Sequence, residues 1–198
     1  MLKDRFRKFL PVIVDLETGG FDSKKNAILE IAIQLIDQES SKLILGDSYR
    51  YHIKPFEGLE VEQEALEFLR LDLNHPLRTA VEEKYALKEF FKIINTHKSK
   101  YDCSRAILVG HNAFFDHSFL LAACDRNNIK KSPFHPFSLI DTVSLGVLAT
   151  KQTVLARICK ELDITYDNDE AHSAAYDAKV TGEVFCKIIN DYDSFNSI

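Results

Sequence analysis

The chain has 198 residues, 45% hydrophobic and 28% charged, with a formal net charge of −5. That is the make-up of a globular domain with its own core, and it excludes a disordered or low-complexity chain. The longest apolar runs, such as Phe9 to Val14 and Ala106 to Val109, are strand-sized, so no membrane span is expected. The basic start lacks a long apolar segment and a small-residue cleavage site, so no signal peptide is expected either. Cys103, Cys124, Cys159 and Cys186 form no close pair, which reads as reduced thiols in a cytoplasmic protein.

Strands are expected over residues 9–17, 27–36, 49–54, 105–111 and 137–140. Helices are expected over 61–70, 81–96, 115–127, 142–149, 153–161 and 174–190. Three strands come first and strands then alternate with helices. That order predicts an α/β fold, a mixed sheet flanked by helices in a single domain spanning residues 1–198.

The first chemical signal closes the first strand: Asp15-Leu16-Glu17-Thr18-Gly19-Gly20 after Pro11-Val12-Ile13-Val14. Side chains alternate along a strand, so Asp15 and Glu17 share one face about 6–7 Å apart, a cradle for hard cations. An acid-x-acid-x-Thr run also marks haloacid-dehalogenase-type phosphatases, with the first Asp as nucleophile. That reading needs a later Gly-Asp with another Asp close behind, and Gly46-Asp47 is followed by Ser-Tyr-Arg. The second signal is His111-Asn112-Ala113-Phe114-Phe115-Asp116 after the strand 105–111, which puts Asp116 at the carboxyl edge of the sheet where α/β proteins bind ligands. The third is His172-Ser173-Ala174-Ala175-Tyr176-Asp177, opening the last helix, with His172 at its start and Asp177 a turn inside. Asp141 reads as the N-cap of the helix at Thr142 and not as a further ligand.

Taken in order, Asp-x-Glu, Asn-x-x-Phe-Asp and His-x4-Asp resemble the three motifs of the DEDDh exonucleases. Over nearly its whole length the chain is similar to the ribonuclease T family within them. The stretches that carry this are Arg5-Phe6-Arg7, Phe21, Gln63 to Phe68, Arg105-Ala106-Ile107, His111 to Phe119, Lys130 to Phe137 and Ala171 to Asp177. The chain departs from the family at Phe68-Leu69-Arg70, where a Phe-Asn-Gly turn is usual, so the loop near the substrate's 3′ end is expected to differ.

The resemblance implies an RNase H-like fold with a five-stranded mixed sheet, a homodimer and a 3′→5′ exoribonuclease. Its implied substrates are the 3′ ends of tRNA and other stable RNAs, and also single-stranded or 3′-overhang DNA, with nucleoside 5′-monophosphates released. It further implies two Mg²⁺ per active site, with Mn²⁺ as a substitute. Asp15, Glu17, Asp116 and Asp177 supply oxygen ligands, and His172 is a general base, not a ligand; an imidazole ordinarily titrates near 6.5 and is a poor ligand for magnesium. Phe21, Phe68, Phe115 and Phe137 take base-stacking or wedging roles, and Glu64 contacts the terminal bases. Arg5, Arg7, Arg105 and Lys130 match the family's basic substrate patch, with Lys98, Lys100 and Lys131 near in sequence. The remaining alternatives are a proofreading-type DNA exonuclease or an oligoribonuclease of the same superfamily, and a catalytically silent binding domain on the same fold.

Overall fold

The strand with the most continuous apolar sequence, β1 (Phe9–Thr18), lies in the middle of the sheet, where both of its faces are covered. The computed structural model describes residues 2–196. A one-turn helix α1 (Leu2–Arg5) precedes β1; β2 (Ile28–Glu39) and β3 (Lys42–His52) follow as antiparallel neighbours. Then come α2 (Gln63–Leu69), α3 (Glu83–Lys100), β4 (Arg105–Gly110), α4 (Ala113–Arg126) and β5 (Phe134–Asp141). The chain closes with α5 (Thr142–Thr150), α6 (Leu155–Glu161) and α7 (Ala174–Asn196). The order across the sheet is β3-β2-β1-β4-β5, with β4 parallel to both β1 and β5. This is the mixed five-stranded sheet flanked by helices that the element order predicts.

The two faces of β1 are divided by parity. On one side Val14 lines a shared internal gap with Leu87, Phe90, Phe91 and Ile94 of α3 and Leu120 of α4. On the other, α7 packs so closely that a Cβ on Gly182 would stand 2.8 Å from Leu45 and 3.4 Å from Ile13. Ile13, Asp15 and Glu17 therefore point to the α7 side, and α7 carries Asp177 to the same side.

Several boundaries move. β3 starts at Lys42, seven residues before the expected position, after a hairpin turn with Ser40 at φ 55°. Lys42 to Gly46 lacks a clean alternation; it is held as strand by Asn190 of α7, which accepts the Leu43 N–H and donates to the Leu43 carbonyl, both at 2.9 Å. α1 is too short to show a helical period, and its anchor is Leu2, fully buried. Among the described residues no helix is long and apolar enough to cross a membrane, and the four cysteines are free and buried.

Candidate metal and nuclease site

Carboxylate oxygens of Asp15, Glu17 and Asp177 all lie within 4.8 Å of one another. The first two come from the end of β1 and the third from the first turn of α7. Oδ2 of Asp177 accepts the His172 N–H at 3.0 Å, while Oδ1 is buried without a hydrogen-bond partner. Asp116 is 4% exposed in the first turn of α4, and its Oδ1 accepts the Leu16 N–H at 3.0 Å. It lies outside the group whose oxygens come within 4.8 Å of one another, yet close enough to act on Asp15 and Glu17. Asp141 takes the capping role expected of it: one oxygen accepts the Val143 N–H at 2.8 Å and the other the Ala113 N–H at 2.9 Å, tying the starts of α5 and α4 together.

Burial pushes Asp15 well above the usual carboxylate range, with Asp116, Glu17 and Asp177 adding to it. Burial, with Asp177 next, lifts Glu17 to about 8, and burial lifts Asp116 to about 8 against its backbone hydrogen bonds. Asp177 is raised by burial as well. Crowded carboxyls, one with an orphaned buried oxygen, suit a hard divalent cation, which prefers oxygen ligands and removes the repulsion.

A stability prediction follows from the sign of these shifts. A carboxyl whose folded-state pKa is raised holds its proton better in the fold than in the unfolded chain. Its contribution is complete below the unfolded value near 4 and is lost as pH rises towards 8. The cation-free protein should therefore lose melting temperature between pH 4.5 and 8. Adding magnesium or manganese should restore it, by an increment that grows with pH because the cation displaces protons. Thermal melts in chelator and in excess cation across that range check this; an increment that is flat with pH contradicts it.

His172 adopts φ 68°, is exposed, and packs its ring on Phe68 with centroids 4.3 Å apart. Phe21, 88% exposed, meets the edge of half-buried Phe115 at 6.3 Å, and Phe115 leans on core Phe119 at 4.9 Å. Glu64 lies exposed in the first turn of α2, and Phe137 is 79% exposed in the middle of β5. Sequence reasoning did not single out the residues that fix the Phe21 loop. Buried Asn26 donates to Glu62 at 3.0 Å and to the Gly19 carbonyl at 3.3 Å, and it accepts the Asp22 N–H at 2.9 Å. Arg126, ion-paired with Glu83, reaches the Ser23 carbonyl. Only the two glycines hinted at this: Gly20, at φ 152°, has no room for a Cβ beside Asn26 and Glu62. Tyr166 was also missed; burial and then Asp177 push its phenol up to about 12.

A family model described as an exonuclease matches residues 12–185. The ribonuclease T of Vibrio cholerae is 48% identical over 193 residues, 96% of this chain and 86% of that one. That of Hahella chejuensis is 50% identical over 190 residues, 96% of this chain and 87% of that one. The chain belongs to the ribonuclease T family of exonucleases. The fold agrees: the nuclease domain of 3′hExo, a DEDDh family member bound to rAMP, superposes with a TM-score of 0.71 at 18% identity, covering 91% of this chain and 92% of that one. Escherichia coli exonuclease I with a dT13 oligonucleotide gives 0.71 at 17% identity, covering 96% of this chain and 43% of that one. The chain is a hydrolytic exonuclease, of a family whose use of divalent metal fits the acidic cluster of Asp15, Glu17 and Asp177.

At Phe68-Leu69-Arg70, where the sequence leads one to expect a different loop, the backbone is accounted for. Arg70 caps α2 in the left-handed conformation at φ 50°, a place that glycine or asparagine fills with less strain. Its N–H reaches the Glu67 carbonyl and the Leu71 N–H reaches the Leu66 carbonyl, so the turn closes with arginine in it.

The basic residues divide. Lys98, Arg105, Lys130 and Lys131 line one groove between α3, α4 and the start of β5. Arg7 sits beside it, its guanidinium 5.9 Å from the ring centroid of Phe9, which pairs with Arg105 across the sheet. Arg5 is different: its guanidinium is ion-paired with Asp193 and donates to the Ser41 carbonyl. Its charge is already compensated, and it anchors α1. Lys100 is likewise engaged, with Asp37 at 2.6 Å.

Proposed function

We propose that residues 1–198 form one exonuclease domain that trims the 3′ ends of tRNA and other stable RNAs, and of single-stranded or 3′-overhang DNA. The observation that carries this reading is the meeting of Asp15, Glu17 and Asp177 within 4.8 Å, one oxygen of Asp177 being buried without a partner, with Asp116 close enough to act on them. These four carboxylates would hold two divalent cations, magnesium by preference and manganese as a substitute. When bound, the ions stabilise charge on the attacking and leaving oxygens of the phosphodiester. His172, on a left-handed backbone at the mouth of the site, accepts the proton of the attacking water, and a nucleoside 5′-monophosphate leaves. Phe21, Phe68, Phe115 and Phe137, with Glu64, grip the terminal bases; stacking holds a single strand at about 1–3 kcal/mol per base and tolerates any base. The free buried thiols fit a reducing compartment, the cytoplasm. Relatives named ribonuclease T support RNA as the substrate. A competition between a tRNA with a few extra 3′ nucleotides and a DNA strand of equal overhang tests this. Faster trimming of the tRNA is expected; preference for DNA would favour a proofreading-type enzyme.

The homodimer belongs to the same proposal. The basic groove would hold the substrate backbone for the partner's active site, through phosphate contacts that weaken with salt. An Arg7/Arg105/Lys130 triple alanine variant should bind weakly with a shallower salt dependence; Arg5 is left intact because its ion pair supports the fold. Asp15→Asn should bind but not cut. After subunit exchange between these two inactive dimers, activity should return. If exchange is demonstrated and no activity appears, groove and active site work within one chain.

A further inference from the structure

The strand carrying Phe137 does not pair evenly with its neighbour. Ala106 is opposite Phe134, yet Leu108, two residues on, is opposite Leu139, five residues on. Residues 135–138 therefore leave the ladder as a wide bulge, which is what lifts Phe137 to 79% exposure. A bulge frees backbone amides that need acceptors. Pro136 has no N–H to satisfy, and the amides of the two residues after it turn to one atom. Nδ1 of His135 accepts the Ser138 N–H at 2.9 Å and, more weakly, the Phe137 N–H at 3.4 Å. The imidazole is half-buried, lies 5.4 Å from the ring of Phe9, and meets the ring of Phe137 edge-on at 4.5 Å and 88°. His135 also lines the basic groove, as does buried His117 of α4.

We propose that His135 is a positioning residue: its Nδ1 acceptor sets the bulge that presents Phe137 to the substrate's terminal bases. The proposal rests on the base-gripping role given to Phe137 above. The acceptor and the ring are separable. In asparagine the Oδ1 stands at the same bond count from Cα as Nδ1 in histidine, and it accepts amides two or three residues on as readily. Phenylalanine keeps the ring and accepts nothing.

Steady-state kcat and KM on a single-stranded RNA and on a hairpin with a short 3′ overhang, for His135→Phe, His135→Asn and Phe137→Ala, test it. His135→Phe should raise KM by roughly tenfold with kcat little changed, the scale of one lost stacked base, and match Phe137→Ala. His135→Asn should stay near the starting protein. The double variant His135→Phe/Phe137→Ala should be no worse than Phe137→Ala, since both act through one ring. If Phe137→Ala is impaired while His135→Phe is normal, or if His135→Asn fails as badly as His135→Phe with an unchanged melting temperature, the positioning role is wrong and that of Phe137 stands. If Phe137→Ala itself is normal, the base-gripping role falls and takes the positioning role with it.

Discussion

Asp15→Asn, Glu17→Gln and Asp177→Asn are each expected to lose a hundredfold or more in kcat, the order of magnitude for removing an electrostatic stabiliser of developing charge. The same substitutions should make the cation-free protein more stable at pH 7.5, the opposite of what losing a structural residue does. The reason lies in the crowding. At that pH the unfolded chain ionises each carboxyl freely, while in the fold burial opposes ionisation of all three, and like-charged neighbours add to it at Asp15 and Glu17. An amide has no such conflict. Each variant should therefore melt higher than the starting protein in chelator, and should show a smaller rise when magnesium is added. Activity assays paired with melts, with and without cation, separate this from simple unfolding. A variant that is inactive because it is less stable in chelator would remove its residue from the cation site.

His172→Ala has the second-largest expected effect, about 10²–10⁴-fold in kcat, as for a lost general base. KM should change little, since the residue acts mainly in the transition state. Its structural setting makes the result specific. The ring rests on Phe68 and not on a core residue, and only its backbone N–H is tied to Asp177. Truncation should leave the melting temperature nearly unchanged. Phe68→Ala, which removes the ring beneath it, should be milder and should appear partly in KM, because Phe68 is also proposed to stack on the bases. If His172→Ala raised KM and left kcat intact, the imidazole would be a binding group, and another base would have to be sought.

What could be read from the chain depended on whether a local rule determined it. Asp15 and Glu17 were legible because alternation in a strand puts them on one side, and the α7 side is where they are. Asp116 and Asp177 were legible as acids in first turns of helices, and both are there. Sequence did not reveal that Asp116 spends one oxygen on the Leu16 N–H, a hydrogen bond between residues a hundred positions apart. Nor could spacing show His172 at positive φ against Phe68, since that contact joins α2 to the loop before α7. The basic clusters looked equivalent in sequence; folding separates Arg5, paired with Asp193, from Arg105 and Lys130 on an open groove. β3 was read too short because Asn190, far along the chain, fixes its first residues. The bulge at His135 leaves a composition trace, a proline between two aromatic rings, and no periodic one.

The central claim is that these carboxylates, loaded with divalent cation, remove nucleotides one at a time from a 3′ end. A time course on one single-stranded RNA labelled at the 5′ end and another labelled at the 3′ end, with magnesium and with chelator, tests it most directly. In magnesium the 3′ label should appear at once as nucleoside 5′-monophosphate, while the 5′-labelled strand shortens by single nucleotides; chelator and Asp15→Asn should stop both. Release of the 5′ label first, internal fragments, or undiminished turnover in chelator would contradict it.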